Sequence, residues 1–295
     1  MSEPAPFSRT ALIGLGLINS SLARVLRQKA PATEIVGCAR SQATLDTSVA
    51  LGFVDRVTLD PAEAVAGCDL VVLGTPVGTF ETLAAKIGPH LAPGATVTDV
   101  GSVKSAVIGA LAPHVPAGVH LIPGHPVAGT EFSGPEAGFA ELFEGRWCIL
   151  TPPEEADPAA VERVAALWRM AGMTVELMSA EHHDAVLAIT SHLPHLIAYN
   201  IVGTVTDLEE ETKQEVFKYA AAGFRDFTRI AASDPIMWRD IFLNNQGAVL
   251  EMLGRFSEDL SALQRAIRRG DGAHLESLFT RTRAIRRGVI EAKQV

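Results

Sequence analysis

The chain has 295 residues, of which 47% are hydrophobic, and it carries a formal net charge of −9 at pH 7. This length accommodates two domains or one large one, and the acidic charge disfavours nucleic acid as a partner. The apolar residues form short runs, the first residues do not resemble a signal peptide, and the three cysteines lie far apart. We therefore expect no membrane span, no disulfide framework, no metal site and a cytoplasmic location.

The first part of the chain alternates short apolar runs with amphipathic segments. The apolar runs predict strands at residues 10–13, 34–38, 70–74, 96–100, 119–122, 147–151 and 174–178. The segments between them predict helices at residues 20–28, 42–51, 79–87, 104–111 and 159–170. Strands and helices in alternation predict a parallel sheet covered by helices on both faces.

The pattern changes near Met178, where strand-like runs stop. The remaining residues predict helices only, including residues 180–206, 234–260 and 273–290. Apolar residues recur at helical spacing in residues 249–263 and predict a stripe that forms either core or a subunit interface. We therefore predict an α/β domain at residues 1–178 and an all-α domain at residues 179–295.

A glycine-rich turn follows the first predicted strand and opens the first predicted helix. Gly14 permits a tight turn, Gly16 lets a pyrophosphate approach the backbone, and the helix N-terminus supplies free N–H groups. Asn19 stands where this fingerprint usually has a third small residue. The turn predicts a Rossmann-type dinucleotide-binding domain, in which NAD(P) contacts Gly14, Leu15, Gly16, Leu17 and Ile18.

The end of the second predicted strand bears on the choice between NAD and NADP. NAD-preferring sites usually place Asp or Glu there, to bind the ribose 2′-hydroxyl. Here the strand runs into Ala39, Arg40 and Ser41 instead. Because Arg40 can pair with a 2′-phosphate and Ser41 can donate to it, the sequence favours NADP over NAD.

Two further strand ends carry candidate cofactor contacts, since ligands of parallel sheets bind at the carboxyl ends of the strands. Thr75 and Pro76 follow the strand at residues 70–74. Ser102 follows the strand at residues 96–100, where it also fits the N-cap of the next helix. We expect all three residues to line the cofactor, with Ser102 over the nicotinamide.

Four blocks of residues together resemble the prephenate/arogenate (cyclohexadienyl) dehydrogenase family of tyrosine biosynthesis. They are Gly-Ser-Val-Lys at residues 101–104, Gly-His-Pro-Val-Ala-Gly-Thr-Glu at 124–131, Ser-His-Leu-Pro-His at 191–195 and Asp-Phe-Thr-Arg-Ile at 226–230. The resemblance covers about residues 10–260. It implies that hydride leaves ring carbon C4 for the nicotinamide, the C4 hydroxyl loses its proton and the ring carboxylate leaves as carbon dioxide. The product is 4-hydroxyphenylpyruvate or tyrosine.

The resemblance also implies roles for individual residues. His125 matches the catalytic histidine that takes the hydroxyl proton, and Ser102 matches the serine that bonds this histidine and the substrate. Arg229 matches the arginine that anchors a substrate carboxylate, a task suited to its planar fork. Other residues implied to lie near the substrate are His195, His183, Thr130 and Glu131.

Asp184 bears on the choice between prephenate and arogenate. If it faces the side-chain end of the substrate, its charge favours the ammonium group of arogenate. If it is an ordinary hydrogen-bonded helix carboxylate, it selects neither, so both substrates stay open. The resemblance further implies a homodimer formed through the helical domain, and tyrosine is a candidate feedback inhibitor.

Other functions fit parts of the pattern less well. A β-hydroxyacid-type dehydrogenase would use a lysine on a helix of the second domain, but residues 180–206 carry histidines and Lys213 lies beyond them. A non-catalytic NAD(P)-binding sensor needs no proton acceptor beside the nicotinamide. A metal site at His192 and His195 is disfavoured because Pro194 lies between them and no clear carboxylate partner is present. Pro194 predicts a helix kink, which either aims His195 into the pocket or serves packing alone.

Overall fold

The computed structural model describes residues 5–130, 132–208 and 210–291. The strands of its main sheet are β1 (Arg9–Ile13), β2 (Glu34–Cys38), β3 (Arg56–Thr58), β4 (Leu70–Leu73), β5 (Thr96–Asp99) and β6 (His120–Leu121). All six run parallel, in the order β3-β2-β1-β4-β5-β6. The strand order reverses between β1 and β4, which is where open parallel sheets bind ligands.

Helices cover both faces of this sheet, as the alternating pattern predicts. They are α1 (Leu17–Lys29), α2 (Gln42–Ala50), α3 (Pro61–Val65), α4 (Phe80–Ile87), α5 (Ser105–Leu111) and α6 (Pro158–Met170). One core cluster contains Phe143 and Trp168, and the other contains Phe80 and Ile87. Every residue of β4 is buried, which explains its unbroken apolar sequence.

A second, three-stranded sheet contains β7 (Gly124–Pro126), β8 (Trp147–Leu150) and β9 (Thr174–Leu177). β7 runs antiparallel to β8, with His125 opposite Ile149, and β8 runs parallel to β9. The sequence does not predict β7, because glycine and proline are unfavourable strand residues. This short strand nevertheless fixes the backbone that carries His125.

After β9 every element in the described residues is helical. The helices are α7 (Ala180–Leu187), α8 (Leu193–Thr206), α9 (Glu210–Tyr219), α10 (Ala222–Thr228), α11 (Pro235–Asn244), α12 (Gln246–Arg269) and α13 (Gly272–Glu291). This confirms the predicted fold class, a Rossmann-type α/β part followed by an all-α part. By compactness the chain divides into two units, one ending at Gln246 and one beginning at Gly247. The predicted boundary at residues 178/179 marks the change from strands to helices and stays a prediction.

A π-helical turn, Ala188–His192, joins α7 to α8. Pro194 explains it, because proline lacks the N–H that would continue the α-helical ladder and its ring crowds the preceding turn. The chain absorbs the missing bond by widening one turn, a feature frequently found at functional sites. The predicted kink at Pro194 therefore takes the form of a π turn.

The helical run Ala180–Thr206 is long and apolar enough to cross a membrane by length and composition alone, a test that core helices also pass. Its histidines argue for a different role. His183, His192 and His195 all contact side chains of the same compact unit. We therefore interpret this run as a helix that packs within the protein.

The single helix predicted at residues 234–260 is wrong. The chain breaks at Asn245, whose backbone has φ −116° and ψ 33°, so α11 ends there and α12 begins at the next residue. The buried side chain of Asn245 bonds to α7 and to the π turn. These long-range bonds fix the break and cannot be read from local helical periodicity.

Candidate active site

The turn after β1 has the shape that the phosphates of a dinucleotide require. Gly14 has a φ of 87°, and a Cβ built there would lie 2.8 Å from the carbonyl carbon and oxygen of Gly74, so only glycine fits. A Cβ built on Gly16 meets nothing within 4 Å, which leaves that backbone open to a ligand. Helix α1 begins at Leu17 without a side-chain cap, so its first N–H groups are available to an anion.

Asn19, which departs from the glycine fingerprint, ties β1 to β4. Its side-chain amide donates to the carbonyls of Gly14 at 2.9 Å, Ile13 at 3.3 Å and Val72 at 3.4 Å. A Cβ built on Gly74 would overlap this amide. Asn19 is therefore accommodated because Gly74 has no side chain, and hydrogen bonds replace the close helix–strand packing that a small residue would give.

The other predicted cofactor residues follow strands that neighbour β1. Arg40 and Ser41 follow β2 and are exposed, and the Ser41 hydroxyl caps α2 by accepting the Thr44 N–H at 3.2 Å. Thr75 and Pro76 follow β4 and are half-buried. Because β2, β1 and β4 are adjacent, these residues lie on the same sheet edge as the glycine turn.

A buried ion pair lies at the carboxyl end of β5. Lys104 Nζ bonds to the Asp99 carboxylate and donates to the Gly124 carbonyl at 2.6 Å, and both charged side chains are fully buried. Asp99 also accepts the N–H groups of Gly101 at 2.7 Å and Gly124 at 3.1 Å. Burial raises the pKa of Asp99 and lowers that of Lys104, while their mutual attraction opposes both shifts. The pair fastens β7 to the end of β5.

His125, on β7, is buried against a second histidine. Its Nδ1 lies 2.8 Å from His183 Nε2, and the two rings meet edge-on with centroids 5.1 Å apart. His183 is fully buried, and its Nδ1 lies 2.8 Å from Asp184 Oδ1. Burial lowers the pKa of His125 well below its usual value, with contributions from His183 and Lys104. Burial also lowers the pKa of His183, so both rings are neutral near pH 7.

Asp184 uses both carboxylate oxygens within the protein. Oδ1 accepts the Lys104 N–H at 2.8 Å, and Oδ2 accepts the Ser105 N–H at 2.9 Å. Asp184 therefore caps α5 from a distant position in the chain. Burial alone would raise the pKa of Asp184, but the hydrogen bonds from His183, Ser105 and Lys104 outweigh it and the pKa is lowered. The carboxylate is ionised near pH 7.

This geometry bears on three roles expected from the sequence. Ser102 is not the N-cap of α5, because the helix begins at Ser105 and Asp184 receives its N–H groups. Both ring nitrogens of His183 are engaged within the protein, by His125 and by Asp184. Asp184 is hydrogen-bonded as a helix carboxylate, which is one of the two alternatives that the sequence left open.

His195 forms part of a second group of rings. It stacks on Trp238 with 3.6 Å between ring centroids. Its Nδ1 donates to the Ser191 carbonyl at 2.8 Å, which leaves Nε2 as a hydrogen-bond acceptor. Burial lowers the pKa of His195, and the charge of Arg229, on the turn Arg229–Ala232, lowers it further. Two predicted substrate-binding residues, His195 and Arg229, thus lie near each other.

Asn245 links this second group to the first. Its amide Nδ2 donates to the Asp184 carbonyl at 2.9 Å and lies 3.0 Å from His192 Nδ1. His192 Nε2 is buried without a hydrogen-bond partner in the part of the chain that the structure describes. Burial lowers the pKa of His192 to about 4. His192 therefore supports the site as a neutral ring.

The remaining predicted residues lie at the ends of site strands. Ser102 is half-buried after β5, and Thr130 is exposed on the loop after β7, where its hydroxyl accepts the Phe132 N–H at 3.2 Å. Glu131 lies outside the described residues. Direct contacts thus join His125 to His183 and His183 to Asp184. The residues expected to hold the substrate are instead spread over several elements.

Two family models match most of the chain. The prephenate dehydrogenase nucleotide-binding domain matches residues 22–177, and the prephenate dehydrogenase dimerization domain matches residues 179–281. A cyclohexadienyl dehydrogenase of Zymomonas mobilis is 42% identical over 280 residues, which cover 95% of each chain. The chain belongs to the prephenate dehydrogenase family.

Other members of the prephenate dehydrogenase family are similar to this chain over nearly its full length. A prephenate dehydrogenase of Bacillus subtilis is 32% identical and covers 94% of this chain, which spans 75% of that protein. The structure of A. aeolicus prephenate dehydrogenase with hydroxyphenyl propionate and NAD+ has a TM-score of 0.89 at 36% identity, covering 96% of this chain and 98% of that one. Synechocystis arogenate dehydrogenase has a TM-score of 0.80 at 28% identity, with 95% and 99% covered.

Membership of the prephenate dehydrogenase family confirms the predicted activity at the level of the reaction. The chain is an oxidoreductase for the NAD(P)-dependent oxidative decarboxylation of prephenate or arogenate in tyrosine synthesis. A nicotinamide cofactor and a small-molecule substrate follow, and the dimerization-domain match supports a homodimer. The preference for NADP over NAD stays a prediction.

Several residues of this site were not predicted from the sequence. Asp99 and Lys104 were foreseeable, because two opposite charges flank a short loop beside a buried strand. Trp238 lies on α11, and nothing in its sequence spacing indicates that it stacks on His195. The contact of Asn245 with α7 spans 61 positions and has no local signal.

Proposed function

We propose that the chain oxidises and decarboxylates both prephenate and arogenate, and that His125 takes up the proton of the ring hydroxyl. The observation that carries the proposal is a buried, neutral imidazole fastened beside the carboxyl end of β5. Relatives along the full chain are named for prephenate, arogenate and cyclohexadienyl substrates, which supports a site that accepts both.

The glycine turn at residues 14–18 is the part of the chain that we assign to the cofactor pyrophosphate. Its backbone is open at Gly16, and the first N–H groups of α1 are uncapped. Thr75, Pro76 and Ser102 are assigned to the nicotinamide half, because they follow the adjacent strands β4 and β5. When bound, the nicotinamide accepts the hydride from ring carbon C4.

Arg40 and Ser41 support a preference for NADP. Both are exposed at the end of β2, and Ala39 stands directly after that strand, so no carboxylate there repels a 2′-phosphate. Arg40 supplies a charge-assisted bond to such a phosphate. Ser41 contributes less, because its hydroxyl already caps α2.

His125 is suited to hold the proton of the reaction. Its Nδ1 is engaged by His183, so Nε2 is the atom left for the substrate hydroxyl. The low pKa keeps the ring unprotonated and ready to accept. When hydride leaves C4, the hydroxyl proton moves to His125, and departure of the carboxylate as carbon dioxide makes the ring aromatic. His125 then returns the proton to the ring oxygen, which yields the phenol and balances the protons of the reaction. Ser102 is assigned to orient that oxygen.

Arg229 and His195 are assigned to the substrate's carboxylates. The chain carries a net charge of −9, so an anionic substrate must be held by local donors. Arg229 provides a permanent charge, and His195 is held by its stack on Trp238. Thr130, on its exposed loop, is assigned to the rim of the same pocket.

The substrate range follows from the position of Asp184. Both of its oxygens are engaged, so it adds no preference for the ammonium group of arogenate. We further propose a homodimer built through the helical part at residues 179–295, a cytoplasmic location, and tyrosine as a candidate inhibitor, because tyrosine is a product.

Reduced-nicotinamide absorbance tests this function. Purified chain is mixed with prephenate or arogenate, each with NAD or NADP, with and without tyrosine, and with a β-hydroxyacid as the matched control substrate. We expect turnover with both cyclohexadienyl substrates, faster with NADP, and none with the β-hydroxyacid. Reduction with the β-hydroxyacid alone, or with no substrate at all, would contradict the proposal.

A further inference from the structure

We infer that His183 and Asp184 are positioning residues that hold His125 in a single tautomer, with Nδ1 protonated and Nε2 free to accept a proton. The inference rests on the proposed role of His125 as proton acceptor. It gives a function to His183, which the family resemblance had assigned to the substrate pocket, and to Asp184, whose role the sequence left open. Two consecutive contacts carry it, from Asp184 to His183 and from His183 to His125, and the first fixes the protons of the second.

The first restriction comes from Asp184. An ionised carboxylate only accepts hydrogen bonds, so the His183 nitrogen beside it, Nδ1, must carry a proton. Asp184 stays ionised because it also accepts the N–H groups of Lys104 and Ser105 at the start of α5. These backbone donors are fixed by the helix, so they hold the carboxylate in position and also keep it ionised.

The second restriction passes through His183 to His125. A neutral His183 that is protonated on Nδ1 has a lone pair on Nε2. This atom lies 2.8 Å from His125 Nδ1, which must therefore be the donor. His125 then has its lone pair on Nε2, which is the atom left for the substrate. The opposite tautomer would present an N–H to the substrate hydroxyl and could not take its proton.

The same chain stabilises His125 after it becomes protonated. The new positive charge already has an acceptor at Nδ1, and His183 passes the polarisation to the carboxylate. The charged or titratable groups around His125 are His183 on α7, His192 on the π turn, the Asp99–Lys104 pair beneath β7, and Cys148 on β8. Asp99 is already paired with Lys104, so Asp184, which lies behind His183, supplies the negative charge aligned with the imidazole chain.

Lys104 contacts both ends of the chain of hydrogen bonds that runs from Asp184 through His183 to His125. Its side chain donates to the carbonyl of Gly124, the residue before His125, and its backbone N–H donates to Asp184. The strand that carries the base and the carboxylate that sets its tautomer are therefore tied to one fully buried residue. This fixes the distance between them in the folded chain.

Nitrogen NMR on protein labelled with ¹⁵N-histidine measures the tautomer directly. The chain has nine histidines, and the signals of His125 are identified by their loss in His125→Asn. We expect wild-type His125 to be protonated on Nδ1 and unprotonated on Nε2. A wild-type His125 that carries its proton on Nε2 overturns the inference, and this readout does not depend on activity.

Asp184→Asn tests the consequence for turnover. The amide can donate to His183 Nδ1 and so reverse both tautomers, and we expect kcat to fall by about 10²–10⁴-fold, the usual contribution of a general base. KM for both substrates and the cofactor Kd should change little. The matched control is His182→Asn, an exposed neighbour on α7 that should leave kcat and the His125 signals unchanged.

The outcomes separate this inference from the proposed function. An Asp184→Asn protein with unchanged kcat and His125 signals overturns the positioning role. A rise in KM for arogenate alone, with kcat unchanged, assigns Asp184 to substrate binding and overturns it equally. If His125→Asn keeps wild-type kcat, the proposed function fails, while the tautomer remains readable in the spectrum.

Discussion

Replacing Lys104 by methionine tests how strongly the buried ion pair holds the site together. Methionine keeps most of the volume of lysine but removes its charge and its donors to Asp99 and Gly124. Asp99 would keep only the N–H groups of Gly101 and Gly124, at 2.7 and 3.1 Å. Both side chains of the pair have no exposed area, so solvent cannot replace the lost ammonium.

The expected cost follows from that burial. Removing one partner of a buried pair leaves an uncompensated charge and typically costs about 3–5 kcal/mol. The Asp99→Asn, Lys104→Met double variant has no such charge, and we expect it to recover at least about 2 kcal/mol of the loss, since contacting partners couple by roughly 0.5–3 kcal/mol. The cost of Lys104→Met should also grow with pH. The attraction of Lys104 opposes the burial that raises the folded-state pKa of Asp99, so removing Lys104 raises that pKa further. The variant then loses stability, relative to wild type, as pH rises between the folded-state pKa of Asp99 in wild type and its higher value in the variant.

Urea unfolding followed by tryptophan fluorescence measures these free energies, because Trp168 and Trp238 are buried in the same compact unit as the pair. Wild type, both single variants and the double variant are compared at two pH values. A loss below about 1 kcal/mol for Lys104→Met at pH 7 would refute the reasoning. So would a double variant less stable than Lys104→Met.

Three further outcomes follow. Arg229→Gln should raise KM for prephenate by about tenfold or more, the value of a charge-assisted bond of roughly 1.5–3 kcal/mol, and an unaltered KM would place the carboxylate elsewhere. Gly16→Ala should weaken NAD(P) binding in a titration yet leave the melting temperature nearly unchanged, because its Cβ meets no protein atom; unchanged cofactor affinity would speak against the assigned pyrophosphate site. The pKa values of His125, His183 and His192 are lowered by burial, so the unfolded chain binds more protons below its histidine pKa of about 6.5. Stability should therefore be full above about pH 6.5 and fall as pH drops from there, by up to about 1.4 kcal/mol per pH unit for each histidine, and a melting temperature that stays constant down to pH 5 would contradict this.

The elements that the sequence predicts well are those with strong local signals. The apolar runs of β1, β2 and β4 are buried on both faces of the sheet, so their composition alone identifies them. The glycine turn was predictable because Gly14 adopts a positive φ that other residues avoid. Each of these features depends on a few adjacent residues.

The contacts that organise the candidate site join distant segments and could not be predicted in the same way. Asp184 caps a helix 80 positions earlier in the chain, so its sequence neighbours give no sign that its charge is already used. Asn19 deviates from the fingerprint, and only the packing against Gly74 explains why the turn still forms. The strand β7 consists of glycine, histidine and proline, and it forms because Lys104 and β8 hold it.

Comparing the steady-state rates of wild type and His125→Asn tests the central claim most directly. The reaction is followed by reduced-nicotinamide absorbance at saturating prephenate and cofactor, and cofactor affinity is measured separately by titration. We expect kcat to fall by about 10²–10⁴-fold or more while the cofactor Kd is unchanged, because asparagine removes the proton acceptor and leaves the glycine turn intact. An unchanged kcat would show that another group takes the proton and would contradict the account.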